Sequence, residues 1–148
     1  MISFLDVQRT IYEVLSTNLP CPVRDEHPVN GPFPYVTIGA FTAMPNDFLI
    51  EQGADIAPQI DVWSIQRGSF ECEALMQQIV GLLHRQIYLL PADQWADCTL
   101  QMAQVLRDPD GRTRHGVLRF LIMTLNVVGA RYNVDRFNVG KFGGYVQT

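Results

Sequence analysis

The sequence is short of lysine, of charge, and of the motifs that carry catalytic chemistry. Lys141 is the one lysine among eleven basic residues. The other ten are arginines, side chains suited to bidentate, partly buried contacts with carboxylates. Charged residues make up only 18% of the chain and hydrophobic residues 47%, which excludes disorder throughout. The formal net charge of −4 excludes a general binder of phosphate backbones, since that affinity rests on many Lys and Arg. No apolar run approaches the ~20 residues that a membrane helix needs; one of the longest, Val117 to Leu125, contains Arg119. Nothing resembles a signal peptide, and a soluble protein made inside the cell is expected. Cys21, Cys72 and Cys98 form no C-x-x-C pair and leave an odd one out. Neither a disulfide framework nor a zinc knuckle follows, and buried free thiols are expected.

Catalytic and cofactor signatures are also missing. His27, His84 and His115 stand far apart with no metal-ligand spacing. No G-x-S-x-G, Walker or G-x-G-x-x-G element occurs, and no strand-to-helix junction surrounds Gly140 to Gly144. Cys98 and His115 would imitate a thiol-protease pair only if a hairpin joined them, and no third orienting group is specified. The expectation is no catalytic residue, no metal and no cofactor.

What the sequence does contain is a series of well-marked elements. The 148 residues suit one compact domain. Phe4, Val7, Ile11, Val14 and Leu15 form one helical stripe within Ser3 to Thr17, stopped by Asn18 and Pro20. Prolines then enforce extended chain, with one short strand around Val23. Tyr35 to Met44 reads as a strand with Val36, Ile38 and Ala40 on one face and Tyr35, Thr37 and Phe41 on the other. Pro45 to Ala57 reads as a long loop in which Phe48, Leu49 and Ile50 are too apolar for plain solvation. Ile56 to Ile65 is the next strand, alternating Ile60 and Val62 with Asp61 and Trp63, and ends before Arg67-Gly68.

From Ser69, placed as a cap, a second helix carries the stripe Cys72, Leu75, Met76, Ile79, Leu82 and Leu83. Cys98 to Arg107 and Thr113 to Val127 form a hairpin about Asp108-Pro109-Asp110-Gly111, where proline and glycine suit a tight turn. The nearly unbroken apolar run of its second strand predicts a central strand covered on both faces. The result is an α+β fold in the order α-β-β-α-β-β. Its mainly antiparallel sheet has about four to five strands, with two helices packed on one face. Residues 1–127 form this domain, and 128–148 form a C-terminal extension rich in glycine, basic and aromatic residues. That composition suits a segment ordered against a partner subunit more than a free end.

The basic cluster Arg107, Arg112, Arg114, His115 and Arg119 straddles the turn. It reads either as a solvated tip balanced by Asp108 and Asp110 or as an assembly contact. Arg112, Arg114 and Arg119 do not share strand parity, so they form no single stripe. Trp63 beside Arg67 reads as core packing or as a binding anchor, the pair being enriched at interaction hot spots.

The run from Val105-Leu106-Arg107-Asp108-Pro109-Asp110-Gly111 to Leu118-Arg119-Phe120 resembles the closing hairpin of the tail-completion proteins of long-tailed phages, prophages and gene-transfer agents. Pro32-Phe33-Pro34-Tyr35-Val36-Thr37-Ile38-Gly39 and Ile60-Asp61-Val62-Trp63-Ser64 match the same family at the expected places, so the likeness spans Leu5 to Leu125. It implies a structural virion protein at the head-proximal end of the tail. This would be a tail terminator forming a ring, commonly a hexamer, on the tail tube. The ring halts tube polymerisation and offers a docking surface to the head connector. Implied partners are further copies of itself, the tube protein and the neck proteins. DNA passes through the lumen without specific binding, and no membrane is involved. Two other readings stand beside it: a head-side connector or stopper, and a small ligand-binding α+β domain. Many family members end near Leu125, whereas this chain continues. Expected subunit or tube contacts are Phe48, Leu49, Ile50, Trp63, Arg67, Arg107, Asp108, Asp110, Arg112 and Arg114, with Arg131, Arg136, Phe142 and Tyr145 in the extension.

Overall fold

The computed structural model describes residues 4–25, 31–46, 53–91 and 94–126. Its elements run α1 (Phe4–Asn18), β1 (Val23–Arg24), β2 (Tyr35–Pro45), β3 (Gly53–Ser64), α2 (Phe70–Leu83), β4 (Gln86–Leu90), β5 (Gln94–Arg107) and β6 (Arg114–Asn126). The strands form one curled sheet in the order β1-β2-β3-β6-β5-β4. The fold is α+β as expected, with six strands in place of four or five. The sheet is mixed, because β1 runs parallel to β2 while every other pairing is antiparallel.

β6 is central, between β3 and β5, as its apolar run predicted. Leu118, Phe120 and Ile122 of β6 are buried with Ile60 and Val62 of β3 and Val36 of β2. Both helices cover this face. Val7 and Ile11 of α1 line the same small cavities as Ile38, Ile56 and Ile122. On α2, Cys72 and Met76 press so close to Gly116 that a Cβ there would lie 2.9 Å from the Cys72 sulfur and 2.6 Å from the Met76 sulfur. The helix stripes are as read: Val7, Ile11 and Leu15 are buried on α1, and Cys72, Leu75, Met76, Ile79 and Leu83 on α2. Burial of each such side chain contributes about 1.5–3 kcal/mol relative to exposure.

Four expectations need correction. β4 was absent from the expected order. It follows α2 after Arg85, which takes the left-handed φ of 61° usual for glycine and gives its amide to the Cys98 carbonyl at 2.7 Å. Ser69 occupies the N-cap position of α2, but its hydroxyl makes no capping bond and donates instead to Glu73 Oε2 at 2.6 Å. The described part of the expected loop from Pro45 to Ala57 is strand except for Asn46: β2 continues to Pro45 and β3 begins at Gly53, where the Asn46 amide meets the Gly53 carbonyl at 3.0 Å. Finally, β2 gains one residue relative to β3 between Ile38 and Phe41. This bulge reverses the faces beyond it, so Ala40 is exposed and Phe41 meets Phe4 of α1 at 5.7 Å between ring centroids.

Candidate assembly surface

The sheet has distinct chemistry at its two ends, and at the arginine end its faces differ: Trp63 and His115 lie on the face that the helices leave open, whereas Arg107 and Arg114 share the face on which Gly116 meets α2. At one end the β5–β6 turn is held by Asp110. Its carboxylate accepts hydrogen bonds from the backbone N–H of Arg112 at 2.8 Å and of Thr113 at 2.9 Å, and from the Thr113 hydroxyl at 2.7 Å. These donors favour the ionised form and lower its pKa to about 2. Gly111, with φ 75°, gives its amide to the Asp108 carbonyl at 3.0 Å. The expected tight turn is present, and Asp110 is the group that organises it.

Beside the turn, pairing of β3 with β6 sets Trp63 opposite His115 and Ser64 opposite Arg114. Trp63 stacks on His115 at 3.8 Å and 10°, and on Tyr35 at 6.0 Å and 17°; Tyr35 in turn meets Phe33 at 5.1 Å. The indole Nε1 donates to Thr37 Oγ1 at 3.2 Å. His115 Nε2 lies 2.7 Å from Asp61 Oδ1, which also accepts from Gln59 Nε2 at 3.0 Å. Burial, and then the charge of Asp108, raise the Tyr35 pKa. His115 is therefore a positioned member of an aromatic column. Cys98 pairs with Ile122 in the buried layer on the other face of the sheet, so the thiol-protease pair is not formed.

Arg107 stands directly across from Arg114, an arrangement that destabilises a sheet because directly opposed side chains share one face. Among the described residues no carboxylate lies within salt-bridge distance of Arg67, Arg107, Arg112 or Arg114. Arg67, Arg107 and Arg112 are exposed and Arg114 is half-buried. Trp63, Arg67, Arg107, Asp108, Asp110, Arg112 and Arg114 thus gather at one end of the sheet, while Arg119 faces the open side farther along β6, opposite Gln59 and Met102. Phe48, Leu49 and Ile50, and Arg131, Arg136, Phe142 and Tyr145, lie outside the described residues.

The other end of the open face is apolar, and sequence reasoning missed it. Ile87 and Leu89 are 63% and 58% exposed, Met123 42% and Trp95 40%. Register joins them in two rows, Leu89–Trp95–Leu125 and Ile87–Asp97–Met123–Asp55–Met44. Among the described residues, the expected cover of β6 is present on one face only. The signal was the lack of alternation in Ile87-Tyr88-Leu89-Leu90, which gives β4 apolar residues on both sides. On the helix side, a groove of about 460 Å³ between α1 and the edge strand β1 is lined by Leu5, Gln8, Arg9, Tyr12, Arg24 and Asp25 among others.

A helix-backed sheet with an open apolar patch and an arginine-rich end free of salt bridges among the described residues describes a component that works through contacts. The sequence profile of tail completion protein gp17 matches residues 13–125. The chain belongs to that family. Its members are structural tail completion proteins and not enzymes, and this tail completion protein is a structural protein of the virion. Tail completion protein gp17 of Bacillus phage SPP1 is 25% identical over 117 residues, covering 78% of this chain and 81% of the relative. A chain from the virion of a native gene transfer agent particle has the same fold, with a TM-score of 0.73 at 18% identity, over 84% of this chain and all of that one. The matched span includes α1 from Glu13 onward, α2 and the six strands as far as Leu125, so both ends of the sheet belong to the shared fold.

Proposed function

We propose that this tail completion protein is a tail terminator: a ring of identical copies, commonly six, seated on the end of the tail tube. There it halts tube growth and presents a docking surface to the head connector. The observation that carries this reading is the opposed Arg107–Arg114 pair with Arg112 and Arg67, set at the far end of the sheet from the apolar rows that contain Asp55 and Asp97. Contact between unlike surfaces is what a closed ring of copies requires. Arginines that form no salt bridge among the described residues suit bidentate pairing across such a boundary. Trp63, held flat by its stacking partners, supplies a rigid anchor beside them. An acidic chain also suits a conduit, because a negative lumen repels a passing phosphate backbone.

The test is sedimentation velocity of the full chain against the double variant Arg112→Ala, Arg114→Ala. At about 1 kcal/mol for each arginine lost from an interface, the contact weakens about 30-fold, and the ring dissociates at concentrations where the parent remains assembled. An unchanged ring at low concentration would return both arginines to the solvated surface. Electron microscopy of tube protein polymerised with and without the chain tests the terminal role. Elongation should stop at added rings, whereas binding to neck proteins without arrest would identify a head-side stopper.

A further inference from the structure

The apolar end of the open face lies where the chain leaves the sheet. β6 ends at Asn126, immediately past Leu125 and Met123 of the two apolar rows. Met123 sits between Asp97 on β5 and Asp55 on β3. Asp55 accepts from Asn46 Nδ2 at 3.1 Å. Among the described residues no cation lies within ion-pair distance of either carboxylate. The patch therefore offers exposed hydrocarbon interleaved with uncompensated negative charge.

The 22 residues that follow Asn126 carry the complementary pattern. Arg131-Tyr132-Asn133-Val134-Asp135, Arg136-Phe137-Asn138-Val139-Gly140 and Lys141-Phe142-Gly143-Gly144-Tyr145 are three successive pentads, each opening with a cation and then an aromatic ring. This segment has net charge +2, while residues 1–126 have net charge −6. In extended chain, residues two apart point the same way, so Tyr132 with Val134 and Phe137 with Val139 form apolar pairs, each flanked by a cation. Gly129, three residues past the sheet, tolerates the backbone angles of a reversal. Fifteen extended residues reach about 50 Å, and the open face from Leu125 back to Val117 is about 27 Å long at the rise of a strand.

We infer that residues 131–145 dock on the open face of their own chain, with their aromatic residues on Leu89, Trp95, Ile87 and Met123 and their cations beside Asp97 and Asp55. A segment tethered four residues from its site has an effective concentration in the millimolar range, far above that of a second copy in dilute solution. This is an alternative to the expectation that the extension orders against a partner subunit, and in a ring a neighbour's arginines would reach Asp55 and Asp97 only by displacing the segment.

The test uses full-length protein carrying Trp63→Phe, so that Trp95 is the single tryptophan. Its acrylamide quenching is compared with that of the same chain carrying Tyr132→Ser, Phe137→Ser, Phe142→Ser and Tyr145→Ser. The quenching constant of the parent should be lower by about twofold or more, and equal from micromolar to nanomolar protein, as a tethered contact requires. Arg131→Gln, Arg136→Gln, Lys141→Gln should fall between the two, and added salt should move the parent toward it. Equal quenching in parent and serine variant would overturn the proposal. So would protection lost on dilution, which would make a second copy the occupant, or protection appearing only with added single-stranded oligonucleotide, which would make the segment a nucleic-acid binder.

Discussion

Two glycines on paired strands, crowded to the same degree by distance, should respond very differently to one added methyl group. A Cβ at Gly53 would stand 2.6 Å from the Thr124 carbonyl oxygen and 2.8 Å from that of Asn46. Ordinary contact begins near 3.4 Å, so these oxygens must retreat by about 0.8 and 0.6 Å. Both belong to the backbone, one on β6 and one on the residue whose amide closes the β2–β3 hairpin. Yielding there disturbs at least one hydrogen bond, worth about 1 kcal/mol, in addition to the 1–3 kcal/mol typical of overpacking. Gly53→Ala should therefore cost about 2–4 kcal/mol.

At Gly116 the obstructing atoms are Met76 Sδ at 2.6 Å, Cys72 Sγ at 2.9 Å and Met76 Cγ at 3.1 Å. A thioether with three rotatable bonds swings aside at low cost, and replacing a strand-interior glycine recovers roughly 0.5–1 kcal/mol of chain entropy. Gly116→Ala should change stability by about 1 kcal/mol or less. Urea unfolding followed by far-UV circular dichroism gives both values, and thermal melts should place Gly53→Ala lower by about 4–12 °C. If Gly116→Ala proves as damaging as Gly53→Ala, the argument that backbone obstacles outweigh side-chain ones fails.

Two further outcomes follow from the titrating groups. Asp110 is held near pKa 2 by its turn hydrogen bonds, below its ordinary 3.8. Its contribution is thus complete above pH 3.8 and lost as pH falls through about 2. NMR should show the Arg112 and Thr113 amides shifting with that low midpoint, and a midpoint near 4 would dismiss the turn geometry. Burial pushes the Cys98 thiol up to about 12 and, with Glu73 adding to it, the Cys72 thiol up to about 11. Alkylation of the folded chain at pH 8, read by mass spectrometry, should therefore modify half-buried Cys21 first; labelling of Cys98 at the Cys21 rate would contradict that packing.

Both helices were legible because their apolar stripes are set by local spacing, and the β5–β6 hairpin because Asp108 to Gly111 supplies every residue a tight turn needs. β4 escaped because Arg85 does the work of a glycine at the end of α2, leaving no punctuation between helix and strand. The faces of β2 were misassigned past Ile38, since an inserted residue among Gly39, Ala40 and Phe41 leaves no trace in their hydrophobicity. For the candidate surface, the hairpin arginines could be grouped from the turn alone. Trp63 joins them only through its pairing with His115, 52 positions away, which no local pattern encodes. The open apolar rows depend on five strands meeting in register. A continuous hydrophobic run states that two faces want cover, and it is silent on whether this chain provides both.

The inserted residue in β2 has a counterpart in β5, between Leu100 and Met102. Through β3 the first falls level with Arg119 and Phe120 of β6, and the second pairs with those same residues. The two irregularities flank the central strands at one height and crease the sheet across its width, as such insertions bend the strands that carry them. The arginine tip lies on one side of the crease and the apolar rows on the other. Were copies to close into the proposed ring, the angle between these two parts would bear on how many are needed before the last meets the first. Deleting one residue at either insertion would remove the local bend, and the copy number of the proposed ring, more than its strength, is what should then change.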